Sequence, residues 1–138
     1  MIGRILLAYD GSGASAKACE LAFDLAKRYG APLIVLSVAR PPEFGDEVET
    51  EAVIENSRAY HEGLLEPIRR RAAAAGLEAA FLVTVGHPTE QIIAEAEREH
   101  ADLIVLGHRG KTLFQRLRLG SVSKQVVQYA DCPVLVVR

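Results

Sequence analysis

Tryptophan is absent from the 138 residues, aromatic residues amount to 6%, and there are only two cysteines. Two thiols without CxxC spacing exclude a disulfide framework and argue against a redox or metal role. Cys19 lies among apolar residues of an expected helix and Cys132 precedes Pro133, so both are expected to be small buried hydrophobes. Long apolar runs are missing as well. Ile5–Tyr9 and Leu33–Leu36 are strand-length, far short of the roughly 18 residues of a membrane span. The start Met1-Ile2-Gly3-Arg4 lacks a signal-peptide layout, and a soluble, cytoplasmic protein is expected. Sixteen Lys+Arg against eighteen Asp+Glu leave a net charge of −2, without the basic excess of a duplex nucleic-acid binder. Neither a nucleic acid nor a membrane is expected as a partner.

What is present is alternation. Uninterrupted, β-branched runs bounded by turn residues read as buried parallel strands over Ile2–Tyr9, Pro32–Val38, Ala80–Val85, Asp102–Gly107 and Pro133–Val137. Between them, helical spacing appears over Ser15–Tyr29, Val48–Ala75, Thr89–His100 and Val122–Ala130. In the second of these, Pro67 is expected to kink or restart the helix, and Arg69-Arg70-Arg71 to form a solvated face matched to its dipole. The fold class is therefore α/β: residues 1–138 as one domain, an open five-stranded parallel sheet with helices on both faces.

In such a sheet, ligands bind beyond the carboxyl ends of the strands, where strand order reverses. Two loops fall there. One is Ala8-Tyr9-Asp10-Gly11-Ser12-Gly13. The other is Gly107-His108-Arg109-Gly110, followed nine residues later by Gly120-Ser121-Val122-Ser123. Gly107 and Gly110 are expected to let backbone approach a ligand and to permit positive φ. The helix opening at Gly120-Ser121 offers unpaired N–H groups, its dipole and the hydroxyls of Ser121 and Ser123 as an anion seat. Arg109, Lys111 and Arg116 would add positive charge. Taken singly, each glycine is a turn and Ser121 a helix cap; the whole spacing arises by chance in about one chain of this length in a hundred or fewer.

Asp10-Gly11-Ser12, the spacing Gly107-x2-Gly110-x9-Gly120-Ser121 and the closing Cys132-Pro133-Val134-Leu135-Val136-Val137-Arg138 together resemble the universal stress protein family, over essentially the whole chain. The resemblance implies a Rossmann-like sheet of order 3-2-1-4-5 and membership of the ATP-binding branch. It implies that Asp10 meets the nucleoside end and that Val38 meets adenine through its backbone; Ala8 and Tyr9, next to Asp10, are expected in the site as well, Tyr9 as a core aromatic before a pocket-lining one. Gly107, His108, Gly110, Gly120, Ser121 and Val122 would surround ribose and phosphates. His108 and Arg109 fill variable positions. The implied role is a nucleotide-dependent regulator or stress-tolerance factor, with Mg²⁺ or Mn²⁺ held through the phosphates and no metal site on the protein. The implied assembly is a homodimer through the edge strand Val134–Val137.

Other readings are weaker. A Walker A loop would need glycine at position 105 ahead of Gly110-Lys111-Thr112, and Val105 stands there. Gly11-Ser12-Gly13-Ala14-Ser15-Ala16 satisfies a loose dinucleotide fingerprint. Asp10 would set a carboxylate against the pyrophosphate, however, and strand two ends in Val38-Ala39-Arg40, where Arg40 would suit only a 2′-phosphate. A phosphoacceptor domain would need a carboxylate where Thr84-Val85-Gly86 stands. His61, His87, His100 and His108 are scattered, and spacing reveals no catalytic or metal-ligand grouping, so no enzyme is expected beyond slow Mg-dependent ATP hydrolysis.

Overall fold

In a computed structural model, residues 2–41, 47–108 and 120–138 are described, residues 47–50 by their backbone alone. Strands β1 (Ile5–Ala8), β2 (Leu33–Ala39), β3 (Ala79–Val85), β4 (Leu103–Gly107) and β5 (Val134–Val137) alternate with helices α1 (Gly13–Tyr29), α2 (Glu47–Ala74), α3 (Pro88–Arg98) and α4 (Ser121–Tyr129). The strands form one parallel sheet in the order β3-β2-β1-β4-β5. The parallel sheet is what the alternation led one to expect, and its Rossmann-like order, with the switch between β1 and β4, is the one the family resemblance implies.

Alternation along each strand divides the core in two. Ile5, Leu7, Leu33, Val35, Leu103 and Val105 face one side, where Ala18, Cys19, Ala22 and Ala26 of α1 and Leu65 and Ile68 of α2 cover them. Leu6, Ile34, Leu36, Ile104 and Leu106 face the other, under Ile92 and Ala96 of α3 and Val126 of α4. Small residues on α1 let that helix lie close to the sheet. At Gly107 a Cβ would stand 2.7 Å from the carbonyl carbon and Cβ of Ala14 and 2.8 Å from Ser15 N.

Three expectations are corrected. Pro67 does not restart the helix: α2 runs continuously through it. Leu65, Ile68 and Ala72 are buried on either side, and anchoring two large apolar side chains, at about 1.5–3 kcal/mol each, outweighs the roughly 3 kcal/mol cost of an interior proline. The arginine run after it is more than a solvated face. Arg69 and Arg70 pair with Glu66, and Arg71 pairs with Glu20 of α1, while the Arg69 and Arg71 guanidiniums lie over the Phe81 and Phe23 rings. Finally, Cys19 is fully buried but Cys132 only half so, and both are free thiols. Among the described residues no helix is long and apolar enough to cross a membrane.

Candidate functional site

An open cavity of about 330 Å³ lies at the carboxyl ends of β1, β2 and β4, across the switch point. Of the residues singled out in the sequence, it brings together Ala8, Tyr9, Asp10, Val38, Gly107, His108, Gly120, Ser121, Val122 and Ser123. Arg109 and Gly110, with Lys111 and Arg116, lie outside the described residues. Leu36, Arg40, Pro88, Ile92 and Leu106 also line the cavity and were not picked out as ligand-facing for an adenylate. Part of that set was legible. Leu36 and Val38 share one face of β2 by period-two alternation and Arg40 follows just past its end, whereas Pro88 and Ile92 come from α3, which only the packing places there.

The loop after β1 is built by local hydrogen bonding. Tyr9 N–H donates to Leu36 O at 2.9 Å, carrying the chain out of the sheet. Gly11 then takes φ +83°, where a side chain would also press on Leu64 of α2. Ser12 N–H donates to Asp10 Oδ1 at 2.9 Å, forming an Asx turn, and Ser12 Oγ caps α1 by accepting from Ser15 N–H at 3.1 Å. Burial acts to raise the Asp10 carboxyl, but the hydrogen bonds from Ser12 and Ser15 outweigh it, and its pKa falls below the ordinary carboxylate value. Asp10 therefore presents a fixed negative charge, an acceptor suited to hydroxyl groups. Tyr9 both packs on the core and lines the cavity.

The opening of α4 is the opposite case. Gly120 is its N-cap and has no side chain to fold back, and the first helical bond runs from Lys124 N–H to Gly120 O at 2.9 Å. The N–H groups of Ser121, Val122 and Ser123 thus have no partner among the described residues, and they open beside the cavity. No acidic residue occupies the first turn. Two hydrogen bonds attach this helix start to the end of β4: Gly120 N–H donates to His108 O at 2.9 Å and Ser123 Oγ to the same oxygen at 2.7 Å.

Two roles expected of this loop change. Gly107 lines the cavity, but its missing Cβ makes room for Ala14 and Ser15 rather than for a ligand, and its φ is not positive. The Ser123 hydroxyl donates to His108 O and, at 3.1 Å, to Gly120 O, so it serves the fold before any phosphate. His108, 8% exposed, lines the cavity with Nδ1 buried and unpartnered among the described residues. Such an orphan costs about 1–3 kcal/mol.

One pairing was invisible in the spacing. His61 of α2 reaches Ser37 of β2, Nδ1 to Oγ 2.6 Å. Burial lowers the pKa of the His61 ring and the Asp10 charge opposes that shift. Ser37 is fully buried, so the pair ties α2 to the sheet and offers no accessible nucleophile. Among the described residues no group of three or more His, Cys, Asp or Glu side chains is placed to hold a metal ion.

Compared with known proteins, residues 1–138 match a family described as the universal stress protein family. A curated relative, universal stress protein YxiE of Bacillus subtilis, is 35% identical over the whole of both chains. Among solved structures, universal stress protein UspA from Lactobacillus plantarum superposes with a TM-score of 0.87 at 27% identity, covering 99% of this chain and 98% of that one. A universal stress protein in complex with cAMP gives a TM-score of 0.74 at 28% identity, with 99% and 97% covered.

Proposed function

The chain belongs to the universal stress protein family, and from that premise we propose that it binds an adenine nucleotide, ATP, in the cavity at the switch point. The observation that carries this reading is the contrast between the starts of α1 and α4 on the cavity; the third start there, that of α3, begins with Pro88, which has no N–H to offer. That of α1 is capped by Ser12 behind the Asp10 carboxylate, whereas at that of α4 the N–H groups of Ser121, Val122 and Ser123 have no partner among the described residues. A phosphate belongs on the second and a ribose hydroxyl against the first. The base would then lie on the apolar wall of Val38, Pro88 and Ile92. A relative of 28% identity that holds cAMP is consistent with an adenine ligand.

The same contrast disfavours the dinucleotide alternative, which needs the pyrophosphate at α1. A Mg²⁺ or Mn²⁺ ion would arrive on the phosphate oxygens, neutralising charge there. In this reading the protein is a cytoplasmic, nucleotide-dependent regulator or stress-tolerance factor and not an enzyme. Titration calorimetry with ATP, AMP and NADP(H) tests it. ATP and AMP are expected to bind, and NADP(H) at least tenfold more weakly. Saturable NADP(H) binding with no response to ATP would reverse the assignment.

The partner in this reading is a second copy. Strand β5 is an edge of the sheet, all four of its residues are apolar and half-buried, and an apolar edge favours strand pairing. Sedimentation equilibrium is expected to give twice the 15.0 kDa chain mass; a single-chain mass at micromolar concentration would remove the dimer.

A further inference from the structure

Helix α2 lays His61, Leu64, Leu65 and Ile68 against the sheet and the loop after β1, at the spacing i, i+3, i+4, i+7. Toward its start, residues 51–60 are exposed apart from the half-buried Ile54 and Ser57, so His61 stands where the helix first settles onto the molecule. The first two members of that stripe touch both segments that carry the nucleoside side of the cavity. His61 Nδ1 lies 2.6 Å from Oγ of Ser37, which stands between Leu36, whose carbonyl accepts from Tyr9 N–H, and Val38 on the cavity wall. Leu64 lies against Gly11, where an added Cβ would stand 3.1 Å from its Cδ2. Gly11 is the middle of the turn closed by Ser12 N–H on Asp10 Oδ1. One turn of α2 thus backs β2 and the Asp10 turn together.

The hydrogen bond has a preferred direction. Ser37 is fully buried, and its hydroxyl has no other partner among the described residues. With Ser37 O–H donating to Nδ1, the ring proton stays on Nε2 and the buried hydroxyl is satisfied. A proton added to Nδ1 reverses the bond and strands the hydroxyl hydrogen. Facing the ring are Ser37 from β2, Asp10 from the loop after β1, whose charge favours the protonated form, and Tyr60 edge-on from the same helix. Among the described residues α1 and β3 add no charge that shifts it. Burial outweighs Asp10 and lowers the pKa of the ring. Stability from the neutral pair is therefore whole above the ordinary histidine value and is lost as pH falls from there to the lower folded one.

We propose that His61 is a positioning residue for the nucleoside end of the nucleotide: its neutral ring, bonded to Ser37, holds the Asp10 turn and the end of β2 at the spacing that a ribose and its base require. This rests on the nucleotide reading and adds to it a support that acid loosens.

The test measures adenosine, which has no phosphate to titrate, by calorimetry from about pH 5 to pH 8, the range in which histidine changes charge. It uses the wild type, His61→Ala and His61→Asn, with thermal melts to verify folding and ATP as a second ligand. Asp10 titrates below the ordinary carboxylate value and stays ionised throughout. At the alkaline end His61→Ala is expected to weaken adenosine and ATP alike, about tenfold, because binding must then order what the pair held in place. His61→Asn, whose Oδ1 can accept from Ser37, should lose no more than about threefold. Wild-type affinity for adenosine should fall about fivefold as His61 gains its proton, and His61→Asn should lose that step. In the free protein the Gly11 and Ser12 amide resonances should follow the His61 titration. A lowered melt with adenosine affinity unchanged, a pH step that survives His61→Asn, or amides that ignore the titration would each overturn the proposal while leaving nucleotide binding standing. A wild type that binds neither adenosine nor ATP removes the nucleotide reading and this role together.

Discussion

Replacing Gly107 by alanine is expected to lower the midpoint of thermal unfolding by about 3–9 °C. The new methyl would lie 2.7 Å from the Ala14 carbonyl carbon and 2.8 Å from Ser15 N, both backbone atoms near the start of α1. No side-chain rotation relieves such a contact, so the helix must lift from the sheet. Overpacking of this kind costs about 1–3 kcal/mol. For a chain of this size, each kcal/mol moves the midpoint by about 3 °C. Lifting α1 also drags Ser12 and Ser15, whose hydrogen bonds shape the Asp10 turn, and nucleotide affinity should fall with stability. Gly13→Ala is the control. A Cβ there meets nothing within 4 Å, and its melt should stay within about 1–2 °C of the wild type. If Gly107→Ala melted equally close to the wild type, α1 would not seat on β4 as described.

The second large effect separates binding from folding. Gly120 has φ −64° and ψ 158°, extended backbone open to any residue, so aspartate is sterically tolerated by the backbone. As an N-cap, Gly120→Asp would accept one of the free N–H groups and hold a negative charge at the positive end of α4. Helix capping should leave the melt unchanged or raise it by a few tenths of a kcal/mol. The same carboxylate occupies the donors meant for phosphate and repels it. At ~6 Å and an effective dielectric of about 20, that repulsion is about 3 kcal/mol, a loss of roughly 100-fold in ATP affinity. Adenosine, uncharged, should be affected far less. ATP affinity within threefold of the wild type in a folded Gly120→Asp protein would mean that phosphate is not bound at α4.

The acid response of the site has a definite sign. Asp10 titrates below its ordinary value in the folded state, so its hydrogen bonds with Ser12 and Ser15 contribute stability above the unfolded carboxylate pKa. That contribution disappears as pH falls through the lower folded value. The turn that presents Asp10 is thus intact throughout the neutral range.

Much of this protein could be read from its sequence because the signals are local or periodic. Uninterrupted β-branched runs announced five strands buried on both faces, and the alternation with helices required a parallel sheet whose switch point carries the ligand loops. Asp10-Gly11-Ser12 was legible as a ligand loop from its place after the first strand, and the Asx turn and the Ser12 cap that shape it emerged only with the structure. Tertiary structure decided what depends on contacts between distant segments. Gly107 looked like a ligand-facing glycine, but its lacking side chain is demanded by Ala14 on a neighbouring element. Pro67 was expected to kink or restart α2, and the helix continues through it with Leu65 and Ile68 buried on either side. The Ser37–His61 pair joins positions 24 residues apart in sequence, and Pro88 and Ile92 reach the cavity only because α3 packs across β2. The anion seat at Gly120-Ser121 was legible in the sequence, and the structure adds the Ser12 cap and Asp10 turn that set the start of α1 apart from it.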